Sequence, residues 1–470
     1  MSAVADGGLE LRLVGARDAV AAGTMTSRTL TEAALARADQ FDESHHLFIT
    51  RLDDAALESA DAADAAVAQG APLGPLHGVP ITVKDNVDVG GVRGTAGSRV
   101  LADRVPVEDA TVVTRLKAAG AIVLGKLNMH EMATGATSMN PHYGWVGNPW
   151  VPGRVAGGSS GASAAAVALR VGFASLGTDA GGSVRIPAMC CGGVGLKQTH
   201  GLVSLFGGMP TTAQHVDHIG PHTLNVADAR LMLDVMAGYD PRDAHSSPRV
   251  APRAVARENL CGLRVGVPAY FWADLDREVD TASSAVLDAM ADAGAVIEPV
   301  DLDLAQLAAG LRVLLVAESY VFHEPYLRAH PEHYSDDLRD RILAGGQVLA
   351  QDYIRAMRAR RLMMEAVRTV FAAFDVLAMP TLPIPAPLQS EAAADASLMS
   401  TMTRNTSPFN QTGHPAITVP VGTTALGAPI GFQLVADAFA DYELLAIAEV
   451  VEALVAFDPT PPVLRTASVG

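Results

Sequence analysis

The chain has 470 residues and a formal net charge of −17, from 34 Lys and Arg against 51 Asp and Glu, and 49% of its residues are hydrophobic. This composition, with only 18% charged residues, is typical of a globular protein and excludes a largely disordered chain. The negative charge opposes binding to phosphate backbones and to anionic lipid, so we expect neither nucleic acid nor a membrane as a partner.

Helices and short buried strands alternate in the first third of the chain. Apolar residues at helical spacing predict helices at 26–41 and 52–68, and the run Ile81-Thr82-Val83 predicts a buried strand that is followed by Lys84. A helix at 108–119 leads to a second buried strand at 121–124. This alternation indicates an α/β fold.

The alternation resumes after a Gly-, Ser- and Ala-rich stretch at 153–208, in which only 163–171 keeps a regular spacing. The pattern then predicts a helix at 226–237, a strand at 263–267, a helix at 281–294, a strand at 296–297, a helix-rich block at 304–374, a strand at 376–379, strands near 416–419 and 430–434, and a last helix at 442–456. No period of about 20 to 50 residues repeats, which excludes a solenoid or a propeller. Strands at both ends of the chain indicate one sheet assembled from distant segments.

Compartment and targeting signals are read from the cysteines and the apolar runs. With three cysteines and no CxxC pair, the chain has neither a disulfide framework nor a zinc-binding pattern, which indicates a reducing compartment. The N-terminal segment has no basic stretch followed by an apolar core, and charged residues interrupt each apolar run before about 18 residues accumulate. We therefore expect a soluble, cytoplasmic protein.

Two Gly-Ser loops could carry chemistry. The first, at 156–163, leads into an Ala-rich helix but lacks the P-loop spacing and its lysine, which leaves a reactive serine or an ordinary helix cap. In the second, at 177–187, Gly181 and Gly182 precede Ser183, and adjacent glycines can point N–H groups at an oxyanion beside a nucleophile. A tight turn is the alternative, and Arg185 excludes the Gly-x-Ser-x-Gly elbow of hydrolases.

A reactive serine needs a base, and neither histidine nor cysteine supplies an obvious one. None of the 14 histidines forms an HExxH motif, and the candidates in turns are interpreted as structural: His77, His200, His215, His218 and His414. The pair Cys190-Cys191 lies in an apolar context and is predicted to be buried core. The arginines of 355–368 are predicted to form a solvated helix face rather than a nucleic-acid site.

Lysine is the alternative base, and the chain has only four: Lys84, Lys117, Lys126 and Lys197. Lys84 follows an apolar strand, so burial at the end of a sheet would lower its pKa. A surface or ion-paired lysine is the alternative. Asp85 is next in sequence and is expected to face away from Lys84, because successive strand residues point to opposite faces.

Several segments taken together resemble the amidase signature family, over residues 10 to 455. They are Gly74-Pro-Leu-His-Gly-Val-Pro-Ile-Thr-Val-Lys84-Asp, Gly157-Gly-Ser-Ser-Gly, Gly177-Thr-Asp-Ala-Gly-Gly-Ser183-Val-Arg-Ile-Pro, Cys191-Gly-Gly-Val-Gly-Leu-Lys197, Asp217-His-Ile-Gly-Pro, Asp375-Val-Leu-Ala-Met-Pro-Thr-Leu-Pro and Pro408-Phe-Asn-Gln-Thr-Gly-His-Pro-Ala-Ile-Thr-Val-Pro. Several long motifs in one order are far more specific than any one of them.

The resemblance implies a Ser-Ser-Lys triad without a metal or organic cofactor. In this sequence Ser183 would be the nucleophile, Ser159 the bridging serine, whose preceding peptide bond is cis in the family, and Lys84 the base. The N–H groups of Ala180, Gly181, Gly182 and Ser183 would form the oxyanion hole.

The fold that the resemblance implies is α/β, with a single large mixed sheet flanked on both sides by helices. It would form a single domain over 1–470, with N-terminal helices at 1–70, the catalytic motifs at 71–225 and the rest of the same sheet and helices at 226–470.

Within this family we expect a free-standing amidase that cleaves a small, neutral or apolar amide, an aryl or alkyl amide or a related hydrazide. Its partner would be this small molecule, without nucleic acid or membrane, in a possible homodimer. The alternatives are the glutamine-hydrolysing subunit of a tRNA-dependent amidotransferase, which would carry an Asp where the alignment places Thr403, and a catalytically silent binding protein. The substrate pocket is expected to include Met132, Gly135, Ala136, Thr137 and Thr403.

Overall fold

Eleven strands of the described residues form one mixed sheet. The computed structural model describes residues 7–209, 213–253, 256–310 and 312–466. Its strands are β1 (Phe48–Arg51), β2 (Pro80–Lys84), β3 (Ile122–Leu127), β4 (Met139–Asn140), β5 (Gly144–Trp145), β6 (Ser175–Thr178), β7 (Val194–Lys197), β8 (Ile219–Thr223), β9 (Arg264–Pro268), β10 (Val296–Val300), β11 (Val376–Pro380), β12 (Ala416–Thr423) and β13 (Pro429–Val435).

Helices precede, follow and connect these strands. They are α1 (Leu13–Ala21), α2 (Ser27–His45), α3 (Asp53–Ala68), α4 (Thr111–Ala118), α5 (Gly161–Ala168), α6 (Arg185–Cys190), α7 (Val226–Met236), α8 (Ala269–Trp272), α9 (Arg277–Asp292), α10 (Ala305–Ala309), α11 (Arg312–Ala329), α12 (Asp336–Gly345), α13 (Ala350–Val370), α14 (Gln389–Ala394), α15 (Ser397–Thr403), α16 (Ser407–Thr412), α17 (Asp441–Val455) and α18 (Pro462–Thr466). No helix in the described part of the chain has a long enough apolar stretch to cross a membrane.

The strand order in the large sheet is β1-β3-β2-β6-β8-β7-β12-β13-β11-β9-β10, and β4 pairs with β5 in a separate ribbon. Strand β2 runs parallel to β3 and β6, and β9 runs parallel to β10 and β11. The strands between these groups pair antiparallel, including β12 with β7 and β13. The predicted mixed α/β sheet is confirmed.

Helices cover both faces of this sheet, as β12 shows. Ile417 and Val419 lie in an apolar cluster with Leu444 of α17, whereas Ala416, which points the other way, lies in a cluster with Met363 of α13. Because strand side chains alternate between faces, these two clusters lie on opposite sides of the sheet. Both faces of the sheet are therefore buried around β12.

The predicted elements outside the Gly-rich stretch are largely confirmed, with boundaries shifted by a few residues. For example, α2 begins after Thr26, whose side chain accepts a hydrogen bond from the N–H of Thr29 and caps the helix. The sequence does not predict helices α1, α8 and α14 to α16 or strands β1, β4, β5 and β8, and α18 follows the helix expected to be the last. The single-domain organisation of 1–470 stays a prediction.

Candidate active site

Lys84 and Thr178 meet because they end two neighbouring parallel strands. Strands β2 and β6 pair in parallel, with Thr82 opposite Ser175, so their carboxyl ends share one edge of the sheet. The Lys84 side chain is fully buried, and its Nζ lies 2.7 Å from Oγ1 of Thr178 and 2.7 Å from Oγ of Ser159. The lysine is therefore held by two hydroxyl groups inside the protein.

Burial lowers the pKa of Lys84 to about 7, although the negative charges of Asp179 and Asp217 oppose this shift. A lysine with this pKa is about half neutral at neutral pH, so it can accept a proton. The carboxylate of Asp85 points elsewhere: its Oδ2 accepts from the N–H of Thr95, and its Oδ1 lies 3.5 Å from Nζ of Lys126. The expectation that Asp85 does not pair with Lys84 is confirmed.

Ser159 is fixed by the segment around residues 130 to 161. The peptide bond between Gly158 and Ser159 is cis, as the family resemblance implies. The carbonyl oxygen of Ser159 accepts hydrogen bonds from the N–H of His130 and the hydroxyl of Ser138. A side chain at position 158 would come within 2.6 Å of the N atom of Thr137, so only glycine fits there. The Ser159 hydroxyl is thereby left to face Lys84.

Ser183 lies in the turn between β6 and α6 and is half-buried. Its side chain and that of Ser159 line the same small cavity of about 20 Å³, with Asn86 and Asp217 also on its walls. A cavity of this size holds about one water molecule. The structure thus brings Lys84, Ser159 and Ser183 to one place, as the sequence predicts.

A buried ion pair shapes the turn that carries Ser183. Asp179 accepts hydrogen bonds from the N–H groups of Gly182 and Val184 at 2.7 and 3.1 Å, and from Nε and Nη2 of Arg185 at 3.0 Å each. Burial alone would raise the pKa of Asp179, but the charge and hydrogen bonds of Arg185 hold it below its usual range. A charged Asp179 therefore fixes both the backbone of the turn and the start of α6.

The expected oxyanion hole is smaller than the sequence indicates. The N–H of Gly182 is donated to Asp179 and cannot also face an oxyanion. The N–H groups of Ala180, Gly181 and Ser183 have no acceptor among the described residues. The expectation for Gly182 is therefore corrected, and three N–H groups are left to form the hole.

The ion pair of Asp179 with Arg185 predicts a large stability effect. We expect Asp179→Asn to lower the free energy of unfolding by about 3 kcal/mol, because it leaves a fully buried guanidinium without its counter-charge. Urea unfolding measures this loss. The matched control is Asp336→Asn, which removes an exposed partner of Arg339 and should leave the unfolding free energy unchanged. Equal losses in both variants would contradict the role of the buried pair.

A second, larger cavity of about 300 Å³ opens beside Ser183. Gly135, Ala136 and Thr403 line it, as expected of a substrate pocket, next to Ala180 and Gly181. Its remaining walls come from α11, α12, α15 and the start of α16. The cavity therefore joins the region of the triad to the helices that follow β10.

Met132 and Thr137 do not line this cavity, and their expected place in the pocket is corrected. Met132 has a positive φ of 49°, and its fully buried side chain packs in a cluster with Ala96 and Met209. Oγ1 of Thr137 lies 3.3 Å from Nδ1 of His130. Both residues are therefore buried away from the cavity, which no spacing in the sequence indicates.

Two arginines on the cavity wall were missed. Arg312 of α11 donates from Nη1 to Oγ of Ser400 at 3.2 Å, and Arg341 of α12 donates from Nη1 to the carbonyl of Thr134 at 2.9 Å. Both belong to the block predicted only as helix-rich. A helical pattern does not show which of its arginines will face a distant loop, so no signal in the sequence could have found them.

His218 also lines the small cavity, where burial holds its pKa well below the usual range. The cysteines and the metal-binding candidates lie elsewhere or are inert. Burial raises the pKa of the Cys190 thiol to about 12, and Cys190 and Cys191 are fully buried, which confirms them as core residues. Within the described ranges, side chains spaced to hold a metal ion occur together only at His330, Glu332 and His333, and none of these lines either cavity.

Comparisons with known proteins identify the family. The Amidase family profile matches residues 29–445. A glutamyl-tRNA(Gln) amidotransferase subunit of Chloroflexus aurantiacus is 38% identical, covering 94% of this chain and 96% of that protein. A crystal structure described as an amidase is 34% identical with a TM-score of 0.84, covering 95% of this chain and 100% of that one. The crystal structure of a glutamyl-tRNA(Gln) amidotransferase subunit from Thermotoga maritima is 31% identical with a TM-score of 0.76, covering 91% of each chain.

These comparisons contradict two expectations. A relative named as an amidotransferase subunit matches nearly the whole chain, at 38% identity. The prediction of a free-standing amidase for small neutral or apolar amides is therefore wrong. The expected partners, a small molecule without nucleic acid, are wrong on the same finding.

The amidotransferase subunit is expected to carry an Asp where this chain has Thr403. This single difference does not outweigh an identity of 38% over 94% of the chain. The family assignment holds for both kinds of relative, since the amidase and the amidotransferase subunit share the fold. The chain belongs to the amidase signature family and is an amidohydrolase-type enzyme that acts on C–N amide bonds.

Proposed function

We propose that the chain is the amidase subunit of a tRNA-dependent amidotransferase, which releases ammonia from glutamine and works with partner subunits. The relative from Chloroflexus aurantiacus, 38% identical over 94% of this chain, supports this function. The observation that carries it within the site is the pair Arg312 and Arg341 on the cavity beside Ser183. A guanidinium group is suited to the carboxylate of an amino acid.

In this proposal Ser183, Ser159 and Lys84 act in sequence. Neutral Lys84 takes the proton of Ser159 as Ser159 takes that of Ser183, and Oγ of Ser183 attacks the carboxamide carbon. The resulting oxyanion lies against the N–H groups of Ala180, Gly181 and Ser183. Ser159 then donates a proton to the leaving nitrogen, the C–N bond breaks, and ammonia leaves an acyl ester on Ser183.

Water completes the cycle through the same relay. The small cavity lined by Ser159 and Ser183 has room for about one water molecule, which Ser159 and Lys84 deprotonate as it attacks the ester. Glutamate leaves, and the proton returns to Ser183. The relay is therefore regenerated without a change in the chain.

The net charge of −17 fits a division of labour between subunits. A chain this acidic repels phosphate backbones, so partner subunits with basic surfaces would hold the tRNA. The chain would supply ammonia to a site on those partners. An assembly that acts on charged tRNA would work in the cytoplasm.

A reconstitution experiment tests this function. We expect the chain to co-purify with the partner subunits of the Chloroflexus aurantiacus enzyme and to hydrolyse glutamine faster in that assembly than alone, measured as ammonia released. Ser183→Ala in the same assembly is the control for contaminating glutaminase. The proposal would be contradicted if the isolated chain hydrolyses an anilide well and does not bind the partner subunits.

A further inference from the structure

We infer that the pocket binds its amide donor through a carboxylate and has no counter-charge for an ammonium group. The substrate class is then the monoamides of dicarboxylic acids, in which glutamine is accepted for its carboxylate alone. This inference rests on the proposed release of ammonia at Ser183. It concerns the part of the donor that lies in the 300 Å³ cavity.

The positive charges in this cavity converge on α15. Nη1 of Arg312 donates to Oγ of Ser400, and Nη1 of Arg341 lies 3.6 Å from Sδ of Met399, the preceding residue. Within the described ranges Arg312 has no carboxylate partner, whereas Arg341 pairs with the exposed Asp337 at 2.7 Å. A donor carboxylate would therefore find one unpaired and one partly neutralised guanidinium.

The negative charge that an ammonium group needs is missing from the described wall of the cavity. No Asp or Glu side chain lines it there, and Glu318, which lies on α11, is bound to His215 and Tyr353 instead. The hydroxyl of Thr403 donates to the carbonyl of Met399 within its own helix at 3.0 Å. The polar groups nearest to an ammonium would thus be hydroxyls and carbonyls, without a counter-charge.

The two charges of glutamine cannot be separated, because both are attached to its α-carbon. When the guanidinium groups bind the carboxylate, the ammonium lies in the same positive field and is repelled by it. This repulsion cancels part of the binding free energy that the carboxylate contributes. A donor with the carboxylate alone avoids this loss. The field of the pocket therefore favours glutaramate at least as strongly as glutamine.

Four amides with one acyl chain length separate the two charges: pentanamide with neither, glutaramate with the carboxylate, 4-aminopentanamide with the ammonium and glutamine with both. The readout is kcat/KM for ammonia release by the full chain in its assembly. We expect glutaramate to exceed pentanamide about 10- to 100-fold, the range of one charge-assisted hydrogen bond. Glutamine should not exceed glutaramate, and 4-aminopentanamide should be the poorest of the four.

Variants tie these ratios to named residues. Arg312→Gln and Arg341→Gln should each bring the ratio of glutaramate to pentanamide toward one. The controls Arg328→Gln on α11 and Arg339→Gln on α12 remove arginines that lie on the same helices but do not line the cavity, and should keep the ratio. Thr403→Asp supplies the missing carboxylate and should raise glutamine relative to glutaramate about 10-fold.

The outcomes separate the inference from the proposed function. Two results would overturn the inference while ammonia release continues. One is a kcat/KM for glutamine that exceeds that for glutaramate by 10-fold or more, and the other is equal kcat/KM values for pentanamide and glutaramate. Absence of ammonia from all four amides in the assembly would instead remove the proposed function. An unchanged ratio in Thr403→Asp, with glutaramate still hydrolysed, would also overturn the inference.

Discussion

Ser183→Ala is expected to reduce amide hydrolysis at least about 10⁴-fold, because it removes the atom that forms the covalent intermediate. A fluorophosphonate should react with the unmodified chain at one site. Mass spectrometry should place the adduct on the peptide that contains Gly181, Gly182 and Ser183, since this serine lies beside N–H groups that can stabilise the phosphonyl oxygen.

Ser163→Ala is the matched control for this labelling. Ser163 belongs to helix α5, which follows Ser159, and its hydroxyl donates to the carbonyl of Leu176 at 3.0 Å, away from the proposed relay. This variant should keep both turnover and labelling. Labelling that persists in Ser183→Ala, or an adduct on another serine, would show that the nucleophile has been wrongly assigned.

The hydrophobic pattern predicts seven of the eleven strands of the sheet and misses β1, β6, β7 and β8. Strands β2 and β3 and the strands from β9 onward are rich in apolar or β-branched residues, and each is predicted. Strands β6, β7 and β8 lie in the middle of the sheet, yet they are four or five residues long and each contains a glycine. Short strands that are buried on both faces show no alternation, so the pattern cannot separate them from loops.

The candidate site also has a part that the sequence predicts and a part that it does not. Lys84, Ser159 and Ser183 lie in local motifs, and the contact between Lys84 and Thr178 follows once β2 and β6 are neighbours. The substrate pocket depends instead on how α11, α12 and α15 pack against the turn at 132–137. Arg312 and Arg341 are separated from Ser183 by more than a hundred residues, and only tertiary packing decides which of their side chains reach the cavity.

Lys84→Ala is expected to abolish nearly all turnover, and Lys84→Arg is expected not to restore it. A guanidinium keeps the positive charge but cannot accept a proton, so the pair separates a base from a fixed charge. In the unmodified chain, the rate should rise with pH on a limb centred near 7, the pKa to which burial brings Lys84. Substantial activity in Lys84→Arg would place the base elsewhere.

Asp217→Asn tests whether this limb belongs to Lys84. The negative charge of Asp217 raises the pKa of Lys84 against the effect of burial, so its removal should move the limb to lower pH. The measurement is the pH dependence of kcat/KM in both proteins. A limb that stays in place or moves to higher pH would contradict the assignment, because neither change can follow from losing an anion near a buried amine.

The same lysine should cost the fold stability, which gives a readout independent of catalysis. Its pKa is about 7 in the folded chain and near 10.5 when exposed, so between these values the unfolded state binds one more proton and stability rises with pH. At pH 7 and below, the folded chain buries a charged amine and loses the hydration of that charge. Lys84→Met removes this loss, so it should raise the free energy of unfolding at pH 7 by up to about 4 kcal/mol. The gain should shrink toward pH 10, where the lysine is neutral in both states. The opposite result would be a Lys84→Met chain that is less stable than the unmodified chain at pH 7. It would mean that the hydrogen bonds to Ser159 and Thr178 stabilise the fold by more than the buried charge destabilises it. The surroundings would then hold the lysine protonated.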